Sequence, residues 1–192
     1  MNRSNWVVRN LANFITLIGC ALIFVLQWVI FSHREWMGTI LVLGSVILVT
    51  DLFDGPVARH ISGISDFGAA MDRLRDKFFQ LTMLSFFLMD ERVEIRLKLP
   101  VSFLILIEVC LLGTLFMGIW KKKKVSAGGW GKAKMALMST GILVLPASIL
   151  ARENGVIIPY SDFVTWLLTF LFIVSSGLAV MSFKRHMEDV RG

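Results

Sequence analysis

The chain has 192 residues, of which 56% are hydrophobic and 18% charged, with a mean hydropathy of +0.71. A soluble domain of this length needs far more polar surface, so composition alone marks a membrane protein. The formal net charge of +6 suits a surface facing anionic lipid headgroups or anionic substrates, and no stretch resembles a nucleic-acid-binding module.

Apolar residues fall in six blocks, near the roughly 20 residues that cross a hydrocarbon layer as a helix. They are residues 11–31, 38–53, 67–88, 101–120, 133–151 and 163–183. The first is too long for a signal-peptide core and lacks a small-residue cleavage site. Ahead of it, residues 5–9 set Trp6 and two valines beside Arg9, which predicts a short amphipathic piece at the interface. Cys20 and Cys110 sit inside apolar blocks and read as packing residues, with no disulfide or metal assigned. Short connections predict sequential antiparallel helices. The expected fold is an all-α integral membrane protein: a six-transmembrane-helix bundle forming one domain over residues 1–192, with no linker or internal repeat.

Lysine and arginine placement orients the chain. Arg3, Arg9, Arg59, Lys121 to Lys124, Lys184, Arg185 and Arg191 fall on one side. Both termini are therefore expected in the cytoplasm, in a multi-pass protein of the cell inner membrane.

The second and third blocks meet at residues 51–77, DLFDGPVARHISGISDFGAAMDRLRDK. Asp51 and Asp54 are three apart and Asp72 and Asp76 four apart. On a helix such partners lie about 60° and 40° apart around the axis, so each pair projects from one face. An ionised side chain at the bilayer centre costs ~2.5–3.5 kcal/mol even on the lenient insertion scale. Four clustered carboxylates are expected to be neutralised by cations, and carboxylate oxygens suit Mg²⁺ or Mn²⁺. The bland alternative pairs them with Arg59, Arg73, Arg75 and Lys77. His60 reads as a loop residue. Gly55 followed by Pro56 predicts a helix break, and Gly68, Ala69 and Ala70 predict close helix approach.

Asp51-x-x-Asp54-Gly55-x-x-Ala58-Arg59, eight residues, then Gly68-x-x-x-Asp72-x-x-x-Asp76 resembles the signature of the CDP-alcohol phosphotransferase family. Eight fixed residues recur by chance on the order of 10⁻¹⁰ per starting point. The resemblance implies that Asp51, Asp54, Asp72 and Asp76 hold two divalent cations, Mg²⁺ or Mn²⁺. It further implies that Asp76 is the general base and that Asp54, Gly55, Ala58, Arg59 and Gly68 form the nucleotide site. It implies a homodimer, a site open to the cytoplasm, a CDP-diacylglycerol donor and CMP release.

Gly131-Lys132-x-Lys134 looks like a Gly-Lys-x-Lys segment of phosphatidylglycerophosphate synthases, with Met135 where Thr usually follows. Asn13-x-x-Thr16 resembles their start, with Gly19 where Arg usually stands. Thr16, Lys132, Lys134, Arg73 and Lys77 are the expected contacts to an acceptor phosphate, and Arg75 is expected to point elsewhere. The lysines read equally as cytoplasmic anchors. The expected acceptor is sn-glycerol 3-phosphate, with inositol phosphate, phosphatidylglycerol or another alcohol as alternatives. A cation- or proton-coupled transporter would spread its acids over several helices. Here they fall in one stretch, and the remaining spans carry almost no charge.

Overall fold

In the computed structural model the described residues are 3–60, 66–120, 129–156 and 161–191, with side chains described at 17–50, 71, 73–118, 120, 129–156 and 162–188. Among them are six helices: α1 (Arg3–Ser32), α2 (Met37–His60), α3 (Asp66–Met89), α4 (Ile95–Trp120), α5 (Gly129–Glu153) and α6 (Ser161–Arg191). Each expected block is a helix. The helices overrun the apolar blocks because the hydrogen-bonded backbone continues into the more polar flanks. Residues 5–9 continue α1 instead of forming a separate piece. The break expected at Gly55–Pro56 does not occur, since α2 runs on to His60, which ends that helix. Pro100 and Pro146 likewise lie inside helices α4 and α5. Helices in a bilayer tolerate proline where neighbouring groups satisfy the freed carbonyl.

Among the described residues, three helical segments are long and apolar enough to cross a membrane: Ile95–Gly118, Gly129–Glu153 and Asp162–Glu188. Leu17–Ser32 and Met37–Thr50 are shorter apolar stretches among the described residues. Six crossings were expected. The third helix differs from the others because Arg73, Arg75, Asp76 and Lys77 charge its N-terminal half, leaving only the part after Lys77 apolar.

The chain forms two compact units, Met1–Thr82 and Met83–Gly192, and the boundary falls within α3. In the first unit α1 packs on α2. Ile23, Leu26 and Ile30 of α1 are buried, while Phe24, Trp28 and Phe31 form an exposed apolar stripe at helical spacing. The turn between α1 and α2 is closed by hydrogen bonds from His33 N to Val29 O (2.8 Å) and from Trp36 N to His33 O (3.0 Å). His33 stacks on Trp36 at 4.1 Å and meets Trp28 edge-on at 5.4 Å. Such a short turn forces α2 to run antiparallel to α1.

In the second unit α6 packs against both α4 and α5. Phe172 of α6 is fully buried, 6.4 Å from the Phe87 ring. Gly141 of α5 lies against it: a Cβ there would meet Phe172 Cε1 at 2.7 Å. α5 ends in a left-handed cap. Gly155 has φ 71°, and its N–H bonds to Arg152 O (3.1 Å) while Val156 N bonds to Ala151 O (3.0 Å). This is the Schellman arrangement, which satisfies the carbonyls left open by the last helical turn.

A polar clasp gathers the connections at one end of this unit. Arg92 donates to both oxygens of Asp90, at 2.9 and 2.6 Å, and to Glu153 Oε1 at 2.6 Å. Thr165 donates to Glu94 Oε1 at 3.0 Å, Arg152 lies 3.8 Å from the same carboxylate, and Arg96 sits over the Trp166 ring at 5.4 Å. The bond to Asp90, above all, pushes the Arg92 guanidinium above its ordinary pKa; partial desolvation opposes this and Glu153 adds to it.

Cys20 is half-buried, whereas Cys110 is exposed on α4, and both are free thiols. For Cys110 the packing expectation is therefore corrected: its position faces outward from an apolar helix.

Candidate active site

Topology brings the two acidic pairs toward one end of the first unit. Gln27 Nε2 of α1 donates to Thr82 Oγ1 of α3 (3.0 Å), and Gly19 of α1 lies against Arg75 of α3. Eight residues separate the two contacts on α1 and seven on α3. At 1.5 Å per residue these are rises of about 12 and 10.5 Å. The matching rises and the common direction mean that α1 and α3 run parallel, with α2 antiparallel to α1. The C-terminal part of α2, which carries Asp51 and Asp54, therefore lies at the same end as the N-terminal part of α3, which carries Asp72 and Asp76.

Asp76 is the described member of this set. Its side chain is 23% exposed, and its Oδ1 accepts from Arg75 Nη2 at 3.4 Å. Arg75 itself is 2% exposed. A Cβ built on Gly19 would stand 2.9 Å from Arg75 Cδ, 3.1 Å from Nη1 and 3.5 Å from Nε. Arg75, expected to point elsewhere than the acceptor phosphate, reaches Asp76, a pairing that the bland alternative for the acids allows. Its long side chain runs back around the helix, where adjacent residues do not ordinarily face one another, because the missing side chain at Gly19 leaves room against α1. A guanidinium absent from position 19 of α1 is supplied there by α3.

Arg73 and Lys77 are half-buried on α3, one helical turn apart. The backbone at Thr16, Asp51, Asp54, Gly55, Ala58, Arg59, Gly68 and Asp72 is helical. The side chains of these residues lie outside the described ones, so their expected roles as metal, nucleotide and acceptor contacts do too. Among the described residues there is no group of three or more metal-ligating side chains.

The two lysines of the Gly-Lys-x-Lys segment part company on α5. Lys132 is exposed and Lys134 buried, as two positions about 200° apart on a helix must be. The Lys134 ammonium donates to Glu108 Oε1 of α4, and both side chains are almost wholly buried. Expecting both lysines at one acceptor phosphate is corrected here: Lys134 is engaged by a carboxylate inside the second unit. Glu108 escaped notice as a single acid in an apolar block. The signal that finds it is the cost of a lone intramembrane charge, which demands a partner.

Helices of this length and apolarity define an integral membrane protein, and the N-terminal half of α3 sets a charged segment within it. The match to known families specifies the chemistry. The family described as CDP-alcohol phosphatidyltransferase matches residues 9–182, nearly the whole chain, and the protein belongs to that family. Its members transfer a phosphatidyl group from a CDP-alcohol and serve phospholipid biosynthesis. No curated protein and no solved structure matches the chain.

Proposed function

We propose that the protein transfers a phosphatidyl group from CDP-diacylglycerol to the primary hydroxyl of sn-glycerol 3-phosphate, releasing CMP. The observation that supports this is the parallel pairing of α1 with α3, which sets both acidic pairs at one end of a helical trio. Arg73, Arg75 and Lys77 alternate with the second pair along the sequence of α3, and their positive charge suits a substrate with several phosphates.

Asp51, Asp54, Asp72 and Asp76 offer only carboxylate oxygens, a donor set that fits hard divalent cations such as Mg²⁺ or Mn²⁺. Bound there, two such ions supply electrostatic stabilisation to the phosphoanhydride and its leaving group. The Asp76 carboxylate takes the proton of the acceptor hydroxyl. The acceptor oxygen then forms a bond to the lipid-side phosphorus as the bond from that phosphorus to the CMP oxygen breaks. Asp54, Gly55, Ala58, Arg59 and Gly68 hold the cytidine diphosphate, and Arg73, Lys77 and Thr16 face the acceptor phosphate. The enzyme works as a homodimer in the inner membrane, with its termini and active site on the cytoplasmic side; the positive flanks of the helices support that orientation.

The test follows CMP release from CDP-diacylglycerol by purified protein in lipid-supplemented detergent with Mg²⁺. Glycerol 3-phosphate, inositol phosphate, phosphatidylglycerol and serine are offered separately. Release with glycerol 3-phosphate alone is expected. Release with a different acceptor keeps the chemistry and discards this acceptor. An absence of release with every acceptor reopens a transport role.

A further inference from the structure

We propose that Arg75 is a positioning residue for Asp76, and that Gly19 is the vacancy on α1 that makes this possible. The inference rests on Asp76 acting as the base in the reaction above, and it adds two residues to that site. Three features converge on it. The Arg75 side chain is 1% exposed, so the guanidinium is fixed and not a surface charge that wanders. Its α1-facing atoms, Cδ, Nη1 and Nε, are those that a Cβ at position 19 would strike. Its other terminal nitrogen, Nη2, is the atom that reaches Asp76 Oδ1.

These are different edges of one rigid, planar group. One edge rests against the α1 backbone and another holds the acid, so the plane of the guanidinium transmits the position of α1 to the carboxylate on α3. A methyl group at position 19 would meet Cδ at 2.9 Å. Cδ is the buried middle of the side chain and not its free end, so the group cannot swing clear without leaving Asp76. By contrast, a Cβ on Gly44 of α2 has no neighbour within 4 Å, which makes that glycine a control in the same unit.

A double-mutant cycle in CMP release, run beside thermal unfolding in the same lipid–detergent mixture, tests the proposal. Misplacing a reacting group by about 1 Å costs up to about 100-fold. Gly19→Ala and Arg75→Ala are each expected to lower kcat by about 10- to 100-fold, with KM for donor and acceptor nearly unchanged. Gly44→Ala behaves as wild type. In the Arg75→Ala background Gly19→Ala has no further effect on kcat, because the three atoms nearest the new methyl, all of Arg75, are then gone. The unfolding temperature of the double variant stays with that of Arg75→Ala, and this pair remains measurable even if Gly19→Ala alone folds poorly. Arg75→Lys, which keeps the charge and loses the planar fork, stays as slow as Arg75→Ala.

Several results would overturn the positioning role: full activity in Gly19→Ala and Arg75→Ala, multiplying losses in the double variant, or losses in KM alone. Recovery in Arg75→Lys would overturn it as well. A wild-type protein that releases no CMP with any acceptor refutes the underlying reaction instead, so the two failures are told apart by the unmutated enzyme.

Discussion

Lys134 on α5 and Glu108 on α4 form an ion pair with both side chains buried, 3% and 0% exposed respectively. Two opposite charges in such a place are tolerated because their attraction offsets the cost of desolvating each, and removing one takes away the charge that offsets the other's burial. Lys134→Met or Glu108→Gln is expected to destabilise the protein by about 3–5 kcal/mol. The double change Glu108→Leu with Lys134→Met restores most of that loss. Thermal unfolding of the four proteins in one detergent checks this. A double variant no more stable than the singles means that the pair is not what holds these side chains inside.

Asp76→Asn removes the proposed base while keeping size and shape. CMP release is expected to fall by about 10²–10⁴-fold. EDTA should abolish release in the wild-type enzyme, and added Mg²⁺ or Mn²⁺ should restore it, as a hard, all-oxygen donor set requires. Full activity after exhaustive chelation would remove the metal from the mechanism.

Gly141 and Phe172 are in closest contact where α5 crosses α6. The Phe172 ring is fully buried beside Phe87 and has nowhere to go, so Gly141→Ala is expected to cost about 1–3 kcal/mol of stability by overpacking. Gly113→Ala on α4, where a Cβ has no neighbour within 4 Å, should be neutral or slightly stabilising through helix propensity. Unfolding curves of the two variants, compared side by side, decide the matter. Equal stability would mean that the α5–α6 seam can yield.

Arg92 anchors the polar clasp, and its pKa is raised above its ordinary value. A cation whose pKa is raised on folding contributes stability that is fully present below its unfolded pKa and is lost only as pH rises through the folded value. Its contribution is therefore flat between pH 6 and pH 10, to use a range of about four units below that limit. Arg92→Ala removes the two side-chain donors to the buried Asp90 carboxylate and is expected to cost about 1.5–3 kcal/mol, the same amount across that range. A loss that varies with pH there would show that another titrating group controls the clasp.

The helices were legible in the sequence because a membrane span must be written as a long apolar block, and six such blocks became six helices. Their ends were not, since hydrogen bonding carries α1 and α6 past the apolar residues into charged ones. The acids of the site were legible for a physical reason: spacings of three and four residues put carboxylates on one helical face. Arg75 and Gly19 were hidden for an equally physical one. They are 56 positions apart, and the rule that adjacent helical side chains diverge directs Arg75 away from Asp76. Only the length of arginine and a gap on a neighbouring helix overrule it. Lys132 and Lys134 looked like one motif in sequence, and helical rotation split them between exposed and buried faces.

The clasp also gives the second unit an order of assembly. Arg92 reaches Glu153 across 61 residues, and Thr165 reaches Glu94 across 71. As the chain is made, the connection after α3 emerges long before either partner exists, with local bonds such as those from Arg92 to Asp90 already available to it. Glu153 arrives when α5 is complete, and Thr165 only when α6 follows. Of the three helices of this unit, α6 follows α4 and α5 in synthesis and is thus the one that closes this end of it, and a chain stopped before residue 165 leaves Glu94 without its threonine.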